Sequence, residues 1–139
     1  MMNSLNFSTG VKTFAVNDGA VEISYNPTDP LFVERVYDVF LSTAEKYEAG
    51  KNQKFEDNKA FFEYARQRDK EVHEAVDGLF GEGVSDGLFQ GVSSYAMADG
   101  LPLWCNFLLA IIDTVPAELS TQVKASKPRV EKYLQKYHR

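Results

Sequence analysis

The side chains best placed to do chemistry crowd around closely spaced glycines in mid-chain: Val76-Asp77-Gly78-Leu79-Phe80-Gly81-Glu82-Gly83-Val84-Ser85-Asp86-Gly87-Leu88-Phe89, with Asp99 shortly after. Carboxylates beside glycines raise calcium first. A helix–loop–helix calcium site needs oxygen donors at positions 1, 3 and 5, glycine at 6 and glutamate at 12. Counted from Asp77, positions 3 and 5 fall on Leu79 and Gly81, so the register fails. No Lys-Ser or Lys-Thr pair follows the glycines, which removes a phosphate-cradling loop. Gly81-Glu82-Gly83 follows a helical pattern rather than a strand, which removes the dinucleotide fingerprint.

The remaining candidates are isolated. His73 sits between Val72 and Glu74 on a helical pattern, with no second His or Cys at ligand spacing, and His138 is terminal and expected to be exposed. Cys105 lies between Trp104 and Asn106 in an apolar run with no cation near in sequence to activate it, so it reads as a small buried hydrophobe. The carboxylates read as helix-surface groups that confer solubility. No catalytic residue, cofactor-binding residue or metal ligand is therefore assigned. Phe89, Met97 and Trp104 are apolar groups that serve either as core or as binding anchors, and Trp104 is the one of the hot-spot type.

The elements that would position these groups are mostly helical. Lys12–Val16 and Ala20–Tyr25 alternate in polarity around Asn17-Asp18-Gly19, the signature of a β-hairpin, and Val21, Ile23 and Tyr25 share the face to be covered. A lone hairpin needs such a cover to be stable. Asp29-Pro30 suits a helix start, with the helix running to about Ala49 and Gly50 as its stop. A second helix is expected from about Glu56 to Leu79, with Phe61, Ala65, Val72, Val76 and Leu79 inward and Gly78, Gly81 and Gly83 ending it. Val84 to Phe89 suits a short helix opened by Ser85. Tyr95–Ala98 is expected as a helical turn. A third main helix spans about Leu101 to Asp113, apolar nearly all round and hence central or at an interface. Val115-Pro116 would break the chain, leaving short helices over Ala117–Ala125 and Pro128–Tyr137, with Ser126 capping the latter. The expected fold is α+β, mostly α: one domain over 1–139, with a hairpin at 11–25 packed on a helical region (30–139) of about four or five helices.

The chain has 139 residues and a net charge of −5. Residues 121–139 carry Lys124, Lys127, Arg129, Lys132, Lys136 and Arg139 against Glu131, a net of +5, and leave the first 120 residues at −10. An acidic body with a basic end can make complementary contacts between copies or with an acidic partner; the basic run itself reads as a solvated terminal helix ahead of a nucleic-acid arm. The strongest apolar stretch, Leu101 to Ile112, is shorter than the roughly 20 residues of a membrane span, so no membrane association is expected. There is no signal-like N-terminus, and a single Cys makes no internal disulfide; both suit a cytoplasmic location.

Residues Glu74 to Ile112 resemble a family of small phage and prophage proteins. The resemblance is carried by Val76-Asp77, Leu79-Phe80-Gly81-Glu82-Gly83, Leu88-Phe89, the Gly91 turn and the apolar helix from Leu103 to Ile112. That family is similar to the tail assembly chaperones of long-tailed phages, small helical proteins that coat the tape measure protein before the tail tube polymerises. The resemblance implies a non-enzymatic binding protein in the cytoplasm of a bacterial host. Its partner would be the tape measure or another tail protein, with a homo-oligomer as a further expectation. The partner-binding residues expected are Phe89, Leu103, Trp104 and Phe107; Gly81 and Gly83 match the family motif and are expected to shape the backbone. The alternative is a structural virion component, a head–tail connector or tail protein that self-assembles.

Overall fold

A computed structural model describes residues 2–137. The chain is α+β and mostly α, an N-terminal antiparallel hairpin followed by helices. Strands β1 (Lys12–Val16) and β2 (Val21–Tyr25) pair in the register Lys12↔Tyr25 to Val16↔Val21. Four residues close the hairpin, with Asn17, Asp18 and Gly19 all at positive φ and the Ala20 amide donating to the Val16 carbonyl at 3.0 Å. As the alternation requires, Ile23 and Tyr25 are buried while Glu22 and Ser24 face out.

Helix α1 (Pro30–Lys51) starts where expected: the Asp29 carboxylate accepts from the Leu31 amide at 3.0 Å and Pro30 is the first helical residue. Its end differs. Gly50 lies inside the helix, and its bare Cα makes room for Tyr64, whose hydroxyl would stand 2.7 Å from a Cβ at that position. Helix α2 (Asn58–Phe80) is capped by Asp57, which accepts from the Ala60 amide. Val72 and Val76 are buried, but Phe61 is exposed: the first turns of α2 extend beyond the core, and Phe61 joins Phe55 and Phe62 in a surface aromatic cluster. Gly78 continues the helix, with its carbonyl capped by Arg35 of α1 at 2.6 Å. Gly81 (φ 120°) ends it, and Gly83 (φ 85°) opens helix α3 (Val84–Phe89). Ser85 thus lies within α3 rather than at its cap.

The segment expected as a helical turn is a second small hairpin. Strand β3 (Met97–Ala98) pairs with β4 (Leu101–Pro102) across Asp99-Gly100, both at positive φ. Helix α4 then begins at Leu103 and runs unbroken to Tyr137, so the three expected C-terminal helices are one. Pro116 and Pro128 lie inside it. Each removes a backbone donor, and a hydroxyl two residues earlier bonds a carbonyl of the disturbed turn: Thr114 to Ile111 at 2.6 Å, Ser126 to Val123 at 2.8 Å. Ser126 is therefore a helix-interior group rather than a cap. His138 and the side chain of Tyr137 lie outside the described residues.

The core lies between α1, α2, the first half of α4 and the hairpin. Val36, Val76, Leu108 and Ile111 sit at its centre. Tyr25 stacks between Phe14 and Phe32 with centroids 4.8 Å away on each side, and Phe80 closes the ladder toward Phe107. The hairpin also braces α4, through Tyr25 to Thr114 at 3.0 Å and Lys12 to Glu118 at 2.7 Å. Beyond Glu118 every residue from Leu119 to Lys132 is exposed. From Leu103 to Lys132 the helix is long and apolar enough, by length and composition, to cross a membrane, unlike the broken segment expected; its first half is instead spent on the protein core, where Trp104, Cys105, Leu108 and Ile111 are buried.

Candidate functional site

The glycine-rich segment is held by a polar stripe on α2. Asp69, His73 and Asp77 recur every four residues and so share one helix face. The Asp69 carboxylate accepts from both the amide and the hydroxyl of Ser94, at 2.8 and 2.6 Å. His73 Nδ1 shares a hydrogen bond with the Ser85 hydroxyl at 2.8 Å, its Nε2 lies 3.5 Å from Asp69, and Asp86 stands 3.2 Å from Nδ1. Asp77 accepts from the Ser85 amide at 2.8 Å. Burial raises the Asp77 pKa, but bonds from the Ser85 amide and hydroxyl and the Gly83 amide, with the nearby His73, outweigh it and hold the carboxyl below its ordinary value. A serine, a histidine and an aspartate thus meet, but Ser85 is only 1% exposed and Ser94 is fully buried. The trio fastens α3 and the following turn onto α2; its hydroxyl is closed off from any substrate.

That fastening aims Phe89 inward beside the His73 ring, 5.4 Å between centroids. The chain then turns back through Gln90 and Gly91, both at positive φ, and α4 comes alongside. Between the hairpin end, α3 and the start of α4 runs a groove of about 480 Å³. Val16, Leu88, Phe89, Val92, Leu103 and Phe107 form its apolar surface, with Asn17, Gln90 and Asn106 supplying polar edges. Asn106 is itself fixed by donating to the Ala98 carbonyl at 2.8 Å. Its volume lies within the range of about 300–1,000 Å³ of small-molecule pockets, and its lining is mainly apolar.

Three of the four expected partner-binding residues, Phe89, Leu103 and Phe107, line this one groove. Phe89 is buried in its floor, while Leu103 and Phe107 are half-buried walls. Trp104 points the other way, into the core, 2% exposed among Phe40, Tyr47 and Tyr95. Burial raises the neighbouring Tyr95 phenol to about 12 and also pushes up the Cys105 thiol. Met97 is exposed on β3. Gly81 and Gly83 both take positive φ, with no heavy atom within 4 Å of where a Cβ would stand, so backbone shape alone selects glycine there.

A second cleft, about 240 Å³, is aromatic, with Tyr47, Phe55, Phe61, Tyr64 and Tyr95 in its walls. Its cations already have partners: Lys46 and Arg68 pair with Glu71, and Lys51 with Glu48. Among the described residues, no group of three or more His, Cys, Asp or Glu side chains is placed to hold a metal ion. No family model matches the chain, and neither a curated protein nor a solved structure is significantly similar to it.

Proposed function

We propose that the chain is a protein-binding module of the tail assembly chaperone type, which holds an apolar face of a helical partner such as the tape measure protein. The groove between α3 and α4 carries this reading. It is mainly apolar and edged by amide side chains, which suits a partner helix presenting apolar side chains at i, i+3 and i+4. Phe89, Leu103 and Phe107 would take the anchors. Trp104 supports the groove from behind, by fixing the start of α4 against α1. Binding of tape measure segments to the purified chain, followed by calorimetry, tests the proposal. Val92→Asp places a charge on an exposed groove wall and should weaken binding about tenfold or more, the scale of one lost anchor. A folded protein that binds no tape measure segment would reject the reading. The alternative, a structural virion component, draws on the second half of α4, which is exposed from Leu119 to Lys132; rings or tubes from a folded chain that binds no tape measure segment would favour it.

A further inference from the structure

The elements that form the groove carry acidic residues at its borders, and the end of α4 is basic. From Glu71 to Val123 the chain has no Lys or Arg, but it has Glu71, Glu74, Asp77, Glu82, Asp86, Asp99, Asp113 and Glu118. This segment supplies nearly the whole groove; the rest is Val16 and Asn17, next to Asp18. Exposed acids therefore stand on each element that forms it: Asp18 on the hairpin turn, Asp86 on α3, Asp99 between β3 and β4, and Asp113 on α4. The projecting part of α4 has the opposite character. Leu119, Val123, Val130 and Leu134 recur at intervals of four and seven, fall on one helix face and are each about half exposed. Lys127 borders that stripe, Lys124 and Arg129 lie to either side of it, and Lys132 stands on the opposite face of the same helix.

We infer that the basic, apolar-striped end of α4 from one copy docks in the apolar groove of a second copy, whose forming elements carry acids and, from Glu71 to Val123, no Lys or Arg. The docking must be between copies. Leu103, Asn106, Phe107 and Ala110 of α4 form one wall of the groove, and the stripe continues on the same unbroken helix. A helix does not bend back over its own wall. The contact joins two different surfaces, so it either closes as a reciprocal pair or propagates head to tail. It uses the groove assigned above to a partner helix, but it is tested with no partner present, so its failure leaves that assignment standing.

The test is the mass of the full-length chain by analytical ultracentrifugation at hundreds of micromolar and low salt, with circular dichroism confirming the fold of every variant. The parent protein should self-associate, and added salt should dissociate it as the charges are screened. An arm variant, Val123→Asp with Val130→Asp, alters only exposed positions. Groove variants are Val92→Asp and, independently, Ala110→Lys, which sets a cation against the basic arm. Each should weaken self-association about tenfold or more. Mixing the arm variant with the Ala110→Lys variant pairs one intact groove with one intact arm and should restore a one-to-one dimer. A parent protein that stays monomeric overturns the inference. So do folded groove variants that associate as the parent does, which would mean that arms pair with arms, and so does a mixture that yields no dimer.

Discussion

Asp69→Ala is the sharpest probe of the stripe that builds the groove. One carboxylate oxygen receives two donors from Ser94, the amide at 2.8 Å and the hydroxyl at 2.6 Å, and Ser94 has no solvent exposure. Alanine leaves both donors buried without an acceptor. An orphaned buried polar group costs about 1–3 kcal/mol, so the pair should cost about 2–5 kcal/mol. That is a large share of the ~5–15 kcal/mol that holds a domain together. At roughly 3–4 °C per kcal/mol for a chain of this size, the melting temperature should fall by about 6–20 °C. Asp69→Asn retains an oxygen for the same donors and should lose less than half as much. Adding Ser94→Ala to Asp69→Ala removes the orphaned hydroxyl and should recover about 1 kcal/mol, a coupling that a double-mutant cycle isolates. Scanning calorimetry gives the melting temperatures, and amide exchange at Ser94 reports the local opening. A melting temperature for Asp69→Ala within about 2 °C of the parent would refute the reasoning, because two buried donors would then be satisfied without this carboxylate.

Two further predictions concern the same segment. Gly81→Ala should destabilise by about 1–3 kcal/mol in urea unfolding, because φ 120° with ψ 157° is a glycine-only region, and Gly83→Ala by only about 1 kcal/mol at its left-handed φ of 85°; equal midpoints for parent and Gly81→Ala would contradict this. Asp77 has a folded pKa below its ordinary 3.8, so its contribution is present above that value and is lost as pH falls through the folded pKa; Asp77→Asn should lower stability at pH 7 and flatten the acid limb of a stability–pH profile, and an unchanged acid limb would show that the carboxylate's charge contributes nothing.

Local rules read the fold well where the cause was local. Alternation about Asp18-Gly19, the Asp29-Pro30 helix start and the chirality of Gly81 and Gly83 each depend on a few adjacent residues, and each is present. Asp99-Gly100 carries the same turn signal, but its strands are two residues long, too short to show alternation. The continuity of α4 is invisible to a rule that ends helices at proline; near Pro116 the hairpin holds the helix from outside, through Tyr25 to Thr114 and Lys12 to Glu118, a support that no local pattern specifies. Of the site, Phe89, Leu103 and Phe107 were legible as apolar residues flanking the glycines. Trp104 was not separable from them, since adjacent helix positions point about 100° apart and only the surrounding elements decide which faces in. The Asp69–His73–Asp77 stripe reads as a solvated helix face. The visible hint was its spacing of four; its partners, Ser85 and Ser94, come from turns whose return path no local pattern specifies.

The second half of α4 follows a different logic from the rest of the fold. Tertiary contacts from the hairpin reach it at Thr114 and Glu118, and the exposed residues from Leu119 to Lys132 extend roughly 21 Å as a helix. A helix of that length without packing is marginal in water, and an interior proline such as Pro128 costs about 3 kcal/mol more. Intrinsic propensity is therefore a weak support for the arm. The stabilisation it lacks is the kind its own stripe provides once covered: about 1.5–3 kcal/mol for each fully buried leucine or valine, against which half-exposed Leu119, Val123, Val130 and Leu134 now gain only part. Burial of a few such side chains outweighs the proline. On the docking inferred above, burial of the stripe and stabilisation of the helical arm are one thermodynamic event, and the groove that receives the arm is built from the first half of the same helix.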